Sequence, residues 1–316
     1  MSSTRERPVV PPAEPRSYYG QPVIKPPVWT WEVPMYLFAG GLAGASAALA
    51  RLAELRGNHV LARRSWAIAL AGLSASPALL VSDLGRPERF LHMLRVFKVT
   101  SPMNVGSWIL AASGAATSVA AADAWTGAFP RSGRPARNAA AALGLPLATY
   151  TGALLSSTAV PVWHEARSLL PFSFAGSAAA SAGAAAVLTT PARHAAPARR
   201  AALFGAALEA VATELSERRL GAAGEPYRRG AAGRFSRTAK ACAAAGFGLM
   251  AAGGGRRPAH LAGAALLVCG SVSKRWAVFK AGFESARDPR YTVGPQRERL
   301  EAGRFGPRAG VGTHGP

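Results

Sequence analysis

Eight apolar windows, each near the length of a membrane-spanning helix and bounded by Arg or Pro, constrain this sequence more than any other feature. A helix needs about 20 mostly apolar residues to cross the hydrocarbon core of a bilayer. The windows cover residues 33–53, 64–82, 105–125, 139–161, 171–190, 198–216, 236–254 and 258–281. The fifth, sixth and seventh are the weakest, because they are rich in Ala rather than Leu. The pattern predicts an all-α integral membrane protein, a bundle of about eight transmembrane helices.

The windows also divide the chain into three parts. Residues 1–30 form a polar, Pro-rich N-terminal tail, residues 31–283 an eight-helix membrane domain, and residues 284–316 a polar C-terminal tail. The N-terminal tail has no apolar core of the kind found in a signal peptide. We therefore expect no cleavable signal, and we expect the first apolar helix to direct insertion.

A soluble helical protein and a nucleic-acid-binding protein are the two alternatives that composition raises. A soluble Ala-rich helix needs charged residues along its outer face, but charged residues make up only 17% of this chain and are missing from long windows. The net charge of +21 could suggest nucleic acid. The Arg residues, however, lie between the windows and in the tails, as they do in loops that flank membrane helices. We expect lipid as the surroundings and no nucleic-acid partner.

The distribution of Lys and Arg also bears on orientation. The connecting loops on the two sides carry similar numbers of basic residues, and both tails add more to the side that holds the termini. Loops rich in Lys and Arg stay on the cytoplasmic side of a membrane. The sequence thus predicts a multi-pass protein of the cell membrane with both termini in the cytoplasm.

Three stretches carry a resemblance to a known family. They read WTWEVPMYLFAGGLAGA at 29–45, LLVSDLGRPERFLHMLRVFKVTSPMNVGSWIL at 79–110 and LPLATYTGALLSSTAVPVW at 145–163. Together they closely resemble the NrfD/PsrC family, the quinone-reactive membrane subunits of polysulfide-reductase-type complexes. The string DLGRP followed by SPMNVGSW is specific, whereas GGLAG alone would be weak.

The resemblance implies an eight-helix membrane subunit that binds no haem or iron–sulfur cluster of its own. In that family the subunit lies beside a four-cluster, ferredoxin-like iron–sulfur subunit, which joins a molybdopterin catalytic subunit. Electrons would pass between the partner's clusters and menaquinone or ubiquinone. Similar chains serve formate-dehydrogenase-type assemblies, so the resemblance leaves the final substrate open.

Histidine and cysteine placement agrees with the absence of a bound redox group. A haem held by two His needs both to face one another inside the bundle. Five of the six His fall in loops, tails or helix ends, and His260 lies at the start of the last window. Cys242 and Cys269 are too few for a four-ligand cluster, and we interpret them as small packing residues.

Three residues are candidates for quinone contact. Tyr36 follows Glu32 by four residues, so both lie on one face of the first helix. By alignment through GGLAG, Tyr36 occupies the position of a family histidine that contacts quinone, and Tyr150 matches a family tyrosine. Quinone chemistry moves protons as well as electrons, and such side chains can donate hydrogen bonds to quinone oxygens. A role as aromatic anchors at the membrane boundary explains the two tyrosines equally well.

Asp83 and Arg86 end the second window where unpaired charge is costly. Their spacing would let them pair across one turn and stop the helix before Pro87. The same cluster could instead form a site or a partner interface, which we favour. Our first interpretation of the basic stretch at 217–235 is an ordinary loop. The alternative is that it helps to dock an iron–sulfur subunit.

Charged residues inside the windows are the remaining candidates. Glu209 lies within the sixth window, and Lys274 and Arg275 lie well inside the last. A protonatable Glu with basic partners could relay protons to a quinone, and simple charge pairing between helices is at least as good an explanation.

Two other functions remain open. One is a cofactor-free proton- or ion-translocating or transport protein, which would favour inverted repeats and broken helices. Residues 33–161 and 171–281 show no convincing repeat. The other is a purely structural anchor.

Overall fold

The computed structural model of the protein describes residues 21–84 and 86–301. Most of the predicted N-terminal tail and the last fifteen residues of the C-terminal tail lie outside that range. The helices are α1 Glu32–Leu55, α2 His59–Ser82, α3 Pro102–Thr126, α4 Gly133–Ser156, α5 Pro161–Glu165, α6 Leu170–Thr189, α7 Ala196–Leu220, α8 Gly230–Ala252, α9 Arg257–Arg287 and α10 Arg290–Glu301. The described residues contain no strand, and the all-α prediction is confirmed.

Each predicted window overlaps one long helix. Among the described residues, six helices are long and apolar enough to cross a membrane: α1, α2, α3, α4, α6 and α9. Helices α7 and α8 are of similar length but carry more charge, at positions such as Glu214, Arg237 and Lys240. The membrane bundle is therefore confirmed, while a count of eight spans stays a prediction.

Local sequence explains where several helices begin and end. The side chain of Asn58 accepts a hydrogen bond from the Leu61 amide at 3.2 Å and caps the start of α2. Ser101 caps α3 in the same way through the Asn104 amide at 3.4 Å, and Pro102 occupies its first turn. Helix α3 ends at Gly127, whose φ of 66° lies in the left-handed region that glycine adopts readily.

Because the long helices alternate in direction, their ends form two faces. We call the face that holds the start of α1 the terminal face. It comprises residues 21–31, 83–84, 86–101, 157–169, 221–229 and 288–301. The opposite face has only the short connections 56–58, 127–132, 190–195 and 253–256. Almost all of the irregular structure, together with α5 and α10, therefore lies on the terminal face.

The bundle has two groups of four helices, α1–α4 and α6–α9, which meet mainly where α6 packs on α1 and α4. Close approach between helices depends on small residues. A Cβ on Gly44 of α1 would meet the carbonyl of Gly144 of α4, and the reverse holds as well. Gly176 of α6 and Gly205 of α7 are similarly close to the opposing backbone. The glycines thus bring these backbones into direct contact.

Candidate functional site

The first candidate site is a pair of tyrosines about one and a half turns inside the terminal face. Tyr36 of α1 is 4% exposed, and its hydroxyl lies close enough to that of Tyr150 of α4 for the two to interact. Gly106 of α3 leaves the space that the Tyr150 ring occupies, since a Cβ there would overlap that ring. Leu110 and Leu147 belong to the same apolar cluster as Tyr36. The structure therefore brings together one residue from each of the three stretches that carry the family resemblance.

Directly outside the tyrosines, Thr30 joins two carboxylates. Its amide and its Oγ1 donate to Asp83 Oδ1, at 3.2 Å and 2.6 Å, and its Oγ1 also contacts Glu32 Oε2. A hydroxyl carries one hydrogen, so it can donate to only one of the two carboxylates at a time. This arrangement links the start of α1 to the end of α2.

The expected pairing of Asp83 with Arg86 is absent from the described residues. Asp83 accepts from Thr30 instead, a residue 53 positions away in sequence. Arg86 lies immediately before the 3₁₀ helix Pro87–Leu94. The helix stop therefore needs no ion pair, and Arg86 is exposed on the terminal face.

Residues 86–101, which we call the α2–α3 segment, lie over the start of α3. Asn104 holds the segment at two points, by donating to the Met93 carbonyl at 2.8 Å and accepting from the Lys98 amide at 2.7 Å. Trp108 adds a hydrogen bond to the Val96 carbonyl at 3.3 Å. Apolar side chains are nonetheless exposed along it, namely Leu91, Val96, Phe97 and Val99. An apolar patch among basic residues is typical of an interaction surface.

Aromatic packing fixes the segment that leads into α1. Trp29 stacks on Trp163 of α5 with ring centroids 5.7 Å apart, and Trp163 Nε1 donates to the Val278 carbonyl of α9 at 2.8 Å. Gly282 makes room for the Trp163 ring, since a Cβ there would overlap it. The residues before α1 are thus anchored to both halves of the bundle.

A second group of candidate functional side chains lies within the other half of the bundle, α6–α9. Lys274 of α9 is half-buried and donates to Thr213 Oγ1 of α7 at 2.8 Å. Arg275 is 1% exposed, its guanidinium lies 3.7 Å from the centre of the Phe174 ring, and it donates to the Phe174 carbonyl at 3.2 Å. Glu209 of α7 is buried and is the acidic group that interacts electrostatically with both cations. Sequence reasoning named these three charged residues, and the structure brings them together.

The guanidinium of Arg275 has unused hydrogen-bonding capacity. Within the described part of the chain, Arg275 Nε and Nη1 are buried and have no hydrogen-bond partner. Buried polar groups without partners are uncommon, and ordered water often satisfies them. A Cβ on Gly41 of α1 would lie 3.4 Å from Arg275 Nη2, so this guanidinium reaches the helix that carries Tyr36.

The terminal face holds a cavity of about 550 Å³ beside α10, with His164, Arg167, Arg219 and Arg290 among its lining residues. The Tyr291 hydroxyl donates to Glu225 Oε2 at 2.7 Å. This hydrogen bond lowers the pKa of Glu225, and Arg229 and Arg290 lower it further. Burial, followed by the same bond, raises the pKa of Tyr291 to about 12. The pair fixes α10 against the 221–227 turn.

Sequence reasoning missed several residues of these sites. Thr30 and Gly106 lie within the stretches that carry the family resemblance, so their positions were visible but their contacts were not. Phe174 and Thr213 carry no sequence signal, because their roles depend on which helices pack together.

The long apolar helices and the buried polar groups together place this molecule in one class: multi-pass membrane proteins with internal polar sites. A family model described as Polysulfide reductase matches residues 16–286, which is most of the chain. The protein therefore belongs to the polysulfide reductase (NrfD) family, and the resemblance is confirmed. No curated protein matches the chain. Family membership makes it a membrane subunit of a molybdopterin oxidoreductase complex, associated with other oxidoreductase subunits.

Proposed function

We propose that this protein is the quinone-reactive anchor of its complex and exchanges electrons between the iron–sulfur clusters of a partner and a membrane quinone. The observation that carries the proposal is the Tyr36–Tyr150 pair, placed just inside the terminal face with Thr30, Glu32 and Asp83 directly outside it. The quinone, menaquinone or ubiquinone, is a substrate. In this proposal the chain itself holds no haem or iron–sulfur cluster.

The tyrosines supply hydrogen bonds, and the carboxylates supply protons. Quinone reduction consumes two electrons and two protons, so the site needs donors for the quinone oxygens and a source of replacement protons. Tyr150 is partly exposed and Tyr36 lies behind it, so one hydroxyl can turn to a quinone oxygen while the other supports it. Glu32 and Asp83 both lie against the hydroxyl of Thr30, so two carboxylates meet at the entrance to the site.

Electrons would enter from the terminal face. Its α2–α3 segment combines exposed apolar side chains with Arg86, Arg89 and Arg95, and the 221–229 turn adds further basic residues. Such a surface suits an acidic partner, here the four-cluster iron–sulfur subunit. We place this face in the cytoplasm, where a donor such as formate would drive quinone reduction. A polysulfide-reductase-type complex would run the same path in reverse.

For Glu209, Lys274 and Arg275 we propose a proton relay in the second half of the bundle. Glu209 is the protonatable member, and Lys274 and Arg275 are its basic neighbours. The unpartnered nitrogens of Arg275 suit ordered water between Glu209 and α1. These same buried charges are what favours the alternative function, a cofactor-free ion-translocating or transport protein.

The test uses the purified complex, whose clusters are reduced by its donor and reoxidised by quinone. Tyr36→Phe and Tyr150→Phe remove only the hydroxyls and should slow quinone reduction about 100-fold, the usual contribution of a positioned proton donor. Cluster reduction should be unchanged when followed by EPR spectroscopy. The control is Thr189→Val, which removes a hydroxyl near the opposite face.

Unchanged quinone reduction in both tyrosine variants would contradict the proposal and favour a structural anchor. Dissipation of an imposed ion gradient in liposomes that hold this protein alone would favour the transport alternative. Loss of assembly in either tyrosine variant would show instead that the pair holds the bundle together.

A further inference from the structure

Helices α7 and α8 follow one another in sequence but barely touch. Helix α7 packs on α6, and α8 packs on α9, which leaves a groove on the outer surface of the bundle. The groove encloses about 500 Å³ between walls that are mainly alanine, with Phe247 toward the opposite face. Ala207, Ala210 and Ala244 are exposed along it. Glu209, Thr213 and Lys274 line its inner part, and Glu214, Ser236 and Lys240 line the end toward the terminal face. Glu214 is paired with Arg218 at 2.8 Å.

The end of the groove nearest the terminal face is basic. A smaller cavity of about 220 Å³ there is lined by Tyr227, Arg228, Ser236, Arg237 and Lys240, with Gly224 and Glu217. Ser236 and Lys240 line both cavities, so the two are adjacent. Lys240 pairs with Glu217 at 2.6 Å, whereas Arg228 and Arg237 have no ion pair within the described residues. The smaller cavity thus has two guanidinium groups without an ion-pair partner, beside the Lys240–Glu217 pair.

Along α8 the basic cavity comes before the apolar groove, in the order of a lipid head group and its chains. Arg228 lies two residues before the start of α8, and Arg237 lies about 10 Å along that helix at 1.5 Å per residue. The apolar wall continues from Ala239 to Phe247, a length of about 12 Å. Basic groups at the boundary of the hydrocarbon core, followed by an apolar groove, match an anionic head group followed by acyl chains.

We propose that this groove binds an anionic phospholipid. Arg228 and Arg237 hold the phosphate, and an acyl chain lies between α7 and α8. Charge complementarity selects this ligand, because a neutral quinone or a zwitterionic lipid would leave the two guanidinium groups without a net negative partner. The site is separate from the tyrosine pair, which lies in the other half of the bundle, so it does not depend on the proposed quinone function.

The test uses the full-length protein in phosphatidylcholine bilayers with spin-labelled phosphatidylglycerol or spin-labelled phosphatidylcholine as the probe. EPR spectroscopy measures the fraction of each probe that the protein immobilises. We expect a preference for phosphatidylglycerol. The double variant Arg228→Ala/Arg237→Ala should lower its relative association constant about 30-fold, from about 1 kcal/mol for each arginine. Ala243→Leu, which fills the groove, should lower immobilisation of both probes.

Matched controls lie elsewhere on the protein. Arg131→Ala/Arg134→Ala removes two exposed arginines at the opposite face, and Ala115→Leu enlarges an exposed alanine of α3. Both should leave the preference intact. Arg237→Lys keeps the charge and should retain most of the binding, which separates loss of charge from misfolding.

Several results would overturn the proposal. Equal immobilisation of the two probes would do so, as would an equal loss in the Arg131→Ala/Arg134→Ala control. Competition by soluble glycerol 3-phosphate as strong as that of the lipid would show a site for phosphate alone. Displacement by a short-chain quinone rather than by unlabelled phosphatidylglycerol would assign the groove to quinone. Loss of the preference in the assembled complex would show that a partner covers the groove.

Discussion

Replacing Gly106 with Ala tests the tyrosine site most directly, because the perturbation is a single methyl group. A Cβ at this position would overlap Cζ, Cε2 and the hydroxyl of Tyr150. The ring must therefore move away from Tyr36. Overpacking of this kind usually costs about 1–3 kcal/mol. In an unobstructed helix the same substitution would instead stabilise by about 1 kcal/mol, because Ala has the higher helix propensity.

Gly114→Ala is the matched control. Gly114 lies on the same helix, and a Cβ there would meet nothing within 4 Å. The gain in helix propensity is common to both variants, so the difference between their free energies of unfolding isolates the overlap with Tyr150. We expect Gly106→Ala to be less stable than Gly114→Ala by about 1–3 kcal/mol. We also expect it to have lower quinone-reductase activity, while Gly114→Ala should keep normal activity.

Thermal unfolding of the purified protein, followed by circular dichroism, measures the stability difference, and steady-state quinone reduction by the complex measures the functional effect. The double variant Gly106→Ala/Tyr150→Ala removes the ring that causes the overlap. It should therefore cost less than the sum of the single variants. Equal stability and equal activity in Gly106→Ala and Gly114→Ala would refute the reasoning.

Two further predictions concern charged groups. Glu209→Gln removes the acidic partner of two cations, and breaking a buried charge interaction in this way should destabilise the protein by about 3–5 kcal/mol. The double variant Glu209→Gln/Lys274→Met should recover part of that loss. Effects of the two substitutions that simply add in thermal unfolding would count against coupling between Glu209 and Lys274. The second prediction concerns α10. Its bond from Tyr291 to Glu225 should protect α10 from proteolysis above pH 4.3, the ordinary glutamate value, and be lost as pH falls through the lowered pKa of Glu225. Because the pKa of Tyr291 is raised to about 12, its contribution is present below pH 10 and lost as pH rises through 12. Tyr291→Phe should lose the alkaline limb and weaken the acid limb, which Arg229 and Arg290 maintain in part, and identical pH profiles for the variant and the parent protein would argue against this bond.

The tyrosine pair and the buried charges lie in different halves of the bundle, but they are not isolated from each other. Phe174, over which the Arg275 guanidinium lies, belongs to the same apolar cluster as Tyr36. Because Gly41 of α1 has no side chain, Arg275 Nη2 can lie against α1, the helix that carries Tyr36. A proton path between the two halves, if the proposed relay operates, would therefore pass α1 near Gly41.

The sequence by itself determined the long helices, because the length of an apolar window and its bounding Arg and Pro residues are local properties. The window at 171–190 and helix α6 Leu170–Thr189 agree to one residue at each end. The sequence also determined the family, through stretches whose residue order is specific. It left the span status of α7 and α8 open, because those helices carry charge within an apolar background.

Tertiary structure alone decided which side chains meet. The spacing of Asp83 and Arg86 allowed a pair between them, but helix packing brings Thr30 to Asp83 from 53 residues away. Tyr36 and Tyr150 were separate candidates on chemical grounds, and only the packing of α1, α3 and α4 makes them a pair with Gly106 behind the ring. The physical reason is that helix formation depends on residues within a few turns, whereas side-chain contacts depend on how closely and at which register the helices pack.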